Sequence, residues 1–285
     1  MKVALVGSTG YIAHYILKRF AEEPDIESVL KIDRTDNADV FLDLSEASTF
    51  DYSLLNEVDF IVFTAAISGP DLCAKEFDSC WKINVLGTAY FIHEAIKRKC
   101  KVLFFSSDAV FGNIPGAIYD EDSITEAKTP YGQMKKAIED EFKNDSLFKA
   151  IRLSYVASAE DRFVSYCLNC MRRGETAEIF HPFYRNVTVV SDVANIVAFF
   201  AIRWDEYEQT FLNVAGKELV SRVRMADELN RHFKGQLKYT ISLPGEDFFA
   251  NRPQITQMKS LYLNKIIEDN TFTEKFSKEL EGIKE

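Results

Sequence analysis

The chain opens with a short, unbroken apolar run, KVALVG, and then changes period. A run of that length, β-branched and closed by Gly, predicts a strand buried on both faces. YIAHYILKRFAEE carries its apolar residues at helical spacing and is followed by Pro24, so a helix is expected there. Further short apolar runs follow: VLKID, ending in Asp33, then FIVFTAA, then VLFFSS, with FKAIRLSYV closing this half. Between the third and fourth, FDSCWKINVLGTAYFIHEAIKRK repeats the helical period and ends in basic residues, which suit a helix C-terminus. Short strands alternating with helices predict βαβ units and a parallel sheet covered on both sides, with right-handed crossovers. The fold class expected is α/β, a Rossmann-type doubly wound parallel sheet with a smaller C-terminal substrate-binding lobe.

The rhythm changes after about residue 157. DRFVSYCLNCMRRG reads as helix, HPFYRNVTVV as strand-like, SDVANIVAFFAIR as helix, TFLNVAG as strand and SRVRMADELNRHF as helix; the punctuated SLPGEDFFANRPQ and short helices end the chain. The expected division is a cofactor domain over 1–157 with elements returning near 187–215, and a smaller lobe from 158–186 and 216–285. No internal repeat or low-complexity segment interrupts it.

Composition changes this picture little: 47% hydrophobic and 27% charged is ordinary for a globular chain, and 285 residues allow one large domain or two moderate ones. The formal net charge of −10 argues against nucleic acid or an anionic membrane as the main partner, though local arginines can still hold a small anion. No apolar run reaches the ~18 residues of a membrane span, and the start of the chain shows no secretory signal, so a cytoplasmic location is expected. Five cysteines without framework spacing read as free thiols. Cys167 and Cys170 lack a second ligand pair, and the four histidines show no ligand spacing, so no metal site is expected.

GSTGYIA places Gly7, Gly10 and Ala13 at the first strand-to-helix turn. The first Gly permits the turn, the second admits a pyrophosphate close to the backbone, and the small third residue lets helix and strand pack. The helix N-terminus offers free N–H groups to phosphate. Thr9, Tyr11 and Ile12 complete this candidate cofactor-binding turn. Asp33, at the end of the second strand, is placed to bond ribose hydroxyls and to repel a 2′-phosphate, which favours NAD over NADP; Arg34 beside it opposes that preference.

Tyr131 and Lys135 stand four apart in TPYGQMKKAIEDEF, on one face of an expected helix. An ammonium beside a phenol favours the phenolate and lowers a pKa that is ordinarily ~10. A tyrosine so tuned can exchange a proton with a carbonyl or alcohol oxygen.

With these residues in order, the chain resembles the extended short-chain dehydrogenase/reductase superfamily. The glycine spacing is similar to that family's, and GYIA to its Gly-Tyr-Ile-Gly. Asp43–Leu44 resembles the Asp-Leu pair near the adenine, Ala65–Ala66 the small-residue strand end beneath the cofactor, and Asn84 in NVLGT a structurally important Asn. SSDAVFG and YGQMK resemble the catalytic Ser/Thr strand and the Tyr-x-x-x-Lys helix. The resemblance implies that Tyr131 moves the proton, Lys135 binds the nicotinamide ribose and lowers the Tyr131 pKa, and Ser107 bonds the substrate oxygen, with Ser106 the alternative.

Within the superfamily the likeness is to the dTDP-4-dehydrorhamnose reductase family, through SSDAVFG, IRLSYV and ANRPQITQMKSLYLNKI. The Tyr that follows the Asp in that family is Ala109 here. Dehydratase relatives carry Glu at that position, so the base for eliminating water is missing. By the same resemblance Asp108, Arg185 and Arg252 are substrate-binding candidates, the two arginines as a charge-assisted clamp for a diphosphate. The implied activity is NAD(P)-dependent reduction of a 4-keto sugar linked to a nucleotide, by a homodimer built on the helices bearing Asn84–Lys97 and Tyr131–Phe142. Alternatives are a nucleotide-sugar epimerase and a non-catalytic NAD(P)-sensing regulator.

Overall fold

The computed structural model describes residues 1–268, 270–281 and 283. The chain divides into two compact units. The first comprises Met1–Gly112, Ser123–Leu153 and Ala194–Leu212. Segment 113–122, which the sequence pattern assigns to the first domain, lies in the second unit.

A seven-stranded sheet forms the frame of the first unit, in the order Phe211–Val214, Phe148–Leu153, Lys101–Ser107, Phe60–Phe63, Lys2–Val6, Ser28–Asp33, Val40–Phe41. Neighbouring strands from Phe148–Leu153 through to Val40–Phe41 pair in parallel. The apolar runs explain why: Val3 to Val6 and Phe60 to Phe63 are each at most 1% exposed, which only a strand covered on both faces can achieve. From Lys2–Val6 the chain winds to one side through Ser28–Asp33, then returns to pair Phe60–Phe63 on the other. The strand order therefore reverses beside the carboxyl end of the first strand, where open α/β sheets bind ligands.

Three helices bear on the site. Tyr11–Ala21 starts after Gly10 with no side chain capping its first turn. The expected long helix is broken into Phe77–Trp81, a π-helical stretch Lys82–Gly87 and Thr88–Lys97; Asn84 sits in that stretch, a feature common at functional sites. Pro130–Phe142 is capped by the Thr129 hydroxyl, which accepts from Gly132 N at 3.2 Å, with Pro at the first position where no N–H is needed. It lays Met134, Ile138 and Phe142 against the core, each at most 2% exposed. Rings such as Phe63, Phe91 and Phe104 fill that core, each fully buried aromatic contributing roughly 1.5–3 kcal/mol.

The second unit has its own core, formed by helices Arg162–Arg173, Arg222–His232 and Phe272–Leu280. A four-stranded sheet orders Leu219–Ser221, Tyr184–Asn186, Ile255–Met258 and Ile118–Tyr119. Two small parallel pairs, Val156–Ala157 with Thr188–Val189 and Ala177–Phe180 with Tyr239–Ser242, complete it.

Candidate active site

The glycine turn is held by the residue that ends the second strand. Asp33 accepts hydrogen bonds from Thr9 N and Thr9 Oγ1, both 2.8 Å, and from Arg34 N at 2.6 Å. Asp33 thus braces the turn as well as standing beside it. Gly7 has φ +87°, and a Cβ there would come within 2.6 Å of Thr64 Oγ1 and 2.7 Å of Ala65 N. Only glycine fits between the ends of the strands Lys2–Val6 and Phe60–Phe63. Ser8 Oγ is buried without a hydrogen-bond partner among the described residues. An uncapped helix start, a Cβ-free cradle and an orphaned hydroxyl together suit a bound phosphate.

The other cofactor candidates also lie in the first unit. Asp43 caps Leu44–Thr49 and accepts from Ser45 N at 2.8 Å; that backbone bond and the Ser45 hydroxyl hold its carboxyl below the usual carboxylate range. Leu44 is buried, and its carbonyl would lie 1.8 Å from a Cβ at Gly87. Ala65 and Ala66 follow Phe60–Phe63 and are partly buried, Tyr11 and Arg34 are exposed, and Ile12 is partly buried. Asn84 spends its amide on the loop after that strand: Oδ1 accepts from Ile67 N at 2.8 Å and Nδ2 donates to Ile67 O at 2.9 Å. Its role as seen is to fix the loop carrying Ala65 and Ala66.

Ser106 and Ser107 alternate at the end of Lys101–Ser107, and their partners separate their roles. Ser106 is 3% exposed and donates to Glu139 Oε1 at 2.5 Å. Ser107 is partly exposed, donates to Asp108 Oδ1 at 3.1 Å and accepts from Ala109 N at 3.2 Å. Gly132, next to Tyr131, packs on that same turn: a Cβ there would stand 2.1 Å from Ala109 O. The close backbone approach brings the Tyr131 helix onto the Ser107 turn.

Lys135 is 3% exposed, donates to Phe105 O at 2.7 Å and lies 4.5 Å from the Phe104 ring centre and 5.8 Å from that of Tyr131. Burial lowers its pKa to about 7, against the attraction of Glu139 and of Cys73. Tyr131 moves opposite to the expectation from the i, i+4 spacing. Burial pushes its phenol well above the usual range, with Cys73 and Asp108 adding to the rise. Desolvation of the phenolate is the largest cause. Cys73 is a buried thiol whose pKa burial raises to about 12; nothing in its own segment of sequence marks it.

In the second unit, Tyr184 pairs with Ile255 and Arg185 with Thr256, which sets the Arg185 and Arg252 segments side by side. Arg185 donates to Tyr184 O at 2.6 Å, Pro253 O at 2.7 Å and Gln254 O at 3.4 Å, and its guanidinium lies 4.7 Å from the Phe183 ring centre. Arg252 lies 4.5 Å from Phe248, whose ring is 5.6 Å from Phe183. The two arginines therefore rest on adjoining rings. A third, Arg222, joins them: it stacks 3.8 Å from Tyr155 and 4.6 Å from Phe163 and shares Phe183 at 5.3 Å. In the sequence it looks only like a basic residue in a helix's first turn.

Among the described residues no group of His, Cys, Asp or Glu could hold a metal ion, and all five cysteines are free and buried. No helix of the described residues is long and apolar enough to cross a membrane.

Comparison with known proteins follows the same lines. The spore coat polysaccharide biosynthesis protein SpsK of Bacillus subtilis is 33% identical over 78 residues, 27% of this chain and 28% of that protein's length. The dTDP-4-dehydrorhamnose reductase structure from Clostridium acetobutylicum superposes with a TM-score of 0.82 at 19% identity, covering 98% of both chains. UDP-glucose 4-epimerase from Thermus thermophilus, solved with NAD, gives 0.82 at 16% identity over 100% of both chains. These structures share the fold. A family model described as the RmlD substrate binding domain matches residues 1–282, and the chain belongs to that family.

Proposed function

We propose that this chain is an NAD-dependent oxidoreductase that reduces the keto group of a nucleotide-linked sugar. The observation that supports the reading is the close packing of the helix bearing Tyr131 and Lys135 on the Ser107 turn, through Gly132 against Ala109 O, with Lys135 bonded to Phe105 O. Gly7, Gly10, Asp33 and Lys135 would hold NAD(H), which when bound supplies or accepts a hydride at the nicotinamide ring.

Ser107 orients the substrate oxygen as a hydrogen-bond donor. Tyr131, kept protonated through the neutral range by its burial, donates its proton to that oxygen as negative charge develops there. A protonated phenol suits reduction of a carbonyl, which needs an acid. Lys135 holds the ribose and adds positive charge. Ala109 offers no carboxylate to remove a proton beside the ketone, so elimination of water is not served. Arg185 and Arg252 are proposed to hold the diphosphate, with Asp108 on the sugar. SpsK, named for polysaccharide biosynthesis, and the two sugar-nucleotide enzymes of the same fold agree with this substrate class. We also place the enzyme in the cytoplasm as a homodimer, which light scattering of the purified protein would check.

The test is direct. Purified protein mixed with NADH and a dTDP-linked 4-keto sugar should lose absorbance at the reduced-nicotinamide band in proportion to product. Product without net NADH loss would make it an epimerase. Tyr131→Phe should lower turnover roughly 100-fold or more, the usual contribution of a general acid, while NADH still binds. Unchanged turnover on every substrate would sink the catalytic assignment and leave a cofactor-sensing protein.

A further inference from the structure

Beneath the proposed catalytic pair lies a set of buried charges that the reduction does not itself require. Tyr131, Lys135 and Glu139 follow one another at four-residue intervals and so share one face of the Pro130–Phe142 helix. Glu139 is 2% exposed, and Ser106, Lys135 and Arg152 are each 3% exposed. Arg152 reaches Glu139 with Nε at 3.1 and 3.2 Å and with Nη2 at 2.8 Å, while Ser106 Oγ donates to the same carboxylate at 2.5 Å. The guanidinium lies 4.2 Å from the Phe211 ring centre and 5.1 Å from that of Phe111.

Stability alone does not account for this cluster. Taking a carboxylate and a guanidinium out of water is costly for both ions, and well-packed apolar residues often do as well or better. Arg152 Nη1 is moreover buried with no partner among the described residues, so the pair is not even fully satisfied.

We infer that Glu139 is a positioning residue, which sets a buried carboxylate one helical turn from Lys135 and ties the catalytic helix to the strand end carrying Ser107. The inference rests on the catalytic reading of Tyr131 and Lys135. The groups facing Lys135 are few. Tyr131 and Glu139 come from its own helix, Cys73 from the helix Pro70–Lys75, and the Phe105 carbonyl and Phe104 ring from the strand; Asp108 acts on Tyr131. Glu139 is the larger of the attractions that oppose the loss of charge by burial. Through Ser106 the same carboxylate also sets the strand position next to Ser107.

The experiment reads Lys135 itself. Protein labelled at lysine Cε with carbon-13 is titrated by NMR, with Lys135→Arg identifying the resonance. In Glu139→Gln the lysine should titrate lower than in the wild type by about one pH unit or more, since an attraction is lost and the Arg152 cation is left to repel it. With substrate in hand, the basic limb of the kcat/KM profile should move to lower pH in step. Should Glu139→Gln not fold, the paired change Glu139→Met with Arg152→Met removes both charges and should still lower the titration, by less. A Lys135 titration that stays at the wild-type value, or rises, in a folded variant overturns the inference. The titration needs no sugar, so it separates this inference from the substrate reading.

Discussion

Tyr131, Lys135 and Lys149 are governed by desolvation more than by their nearest charge. Tyr131, partly buried, rises rather than falls, and Lys135, buried, falls to about 7, because desolvation is the largest cause for each. Lys149 shows the same physics away from the site. It is 7% exposed, donates to Trp204 O at 3.0 Å and also to Tyr207 O, and burial lowers its pKa to about 8. Between about 8 and the unfolded value of 10.5 the unfolded chain holds a proton that the folded chain has released, so stability contributed here rises with pH across that window. Below about 8 both states are charged and the folded protein bears the full cost. The thermal midpoint of the wild type should therefore gain more between pH 7.5 and pH 9.5 than that of Lys149→Met, by about a few degrees. Parallel profiles would contradict the burial argument. Lys135 acts in the same direction over a window beginning near 7.

Elements meet at this site through glycines whose place no side chain can take. Gly132→Ala would drive a Cβ against Ala109 O, a backbone atom that cannot rotate away. The helix must then shift from the Ser107 turn, and turnover should fall roughly 100-fold, as displacements of about 1 Å in a catalytic group do. NADH binding, which we propose rests mainly on the Gly7 turn, should change far less. A Gly132→Ala enzyme of normal activity, read by steady-state kinetics, would show that the close approach is not needed. Gly7→Ala should instead abolish cofactor binding, since it meets both a left-handed φ and the Thr64–Ala65 backbone; roughly 1–3 kcal/mol of strain is expected. Isothermal titration with NADH checks it. Glycine spacing made the first of these positions, Gly7, legible in the sequence. Gly132 was not, because beside Tyr131 it looks like any helix-start residue until the Ser107 turn is packed on it.

Over the whole molecule, a net charge of −10 makes the placement of arginines informative. Arg185→Met and Arg252→Met should each raise KM for a nucleotide-diphosphate sugar roughly 10- to 100-fold with a smaller change in kcat, as loss of a charge-assisted contact to an anion implies. Equal losses in kcat and kcat/KM would place them instead at the reacting carbon. The chain alone determined the alternation of strands and helices, hence the parallel sheet, because apolar runs of that length admit few other arrangements. It also marked Gly7, Asp33, Tyr131 and Lys135, by their places at a strand-to-helix turn, at a strand end and on one helix face, and it marked Ser107 through the family resemblance. Tertiary structure decided what the neighbours of those residues are. It put Lys135 and Glu139 out of water on a helix whose pattern reads as amphipathic, turned Ser106 toward Glu139 and Ser107 away, and stacked Arg222 on Tyr155. Protonation and hydrogen bonding depend on burial and on residues distant in sequence, and neither is written in the period of a single segment.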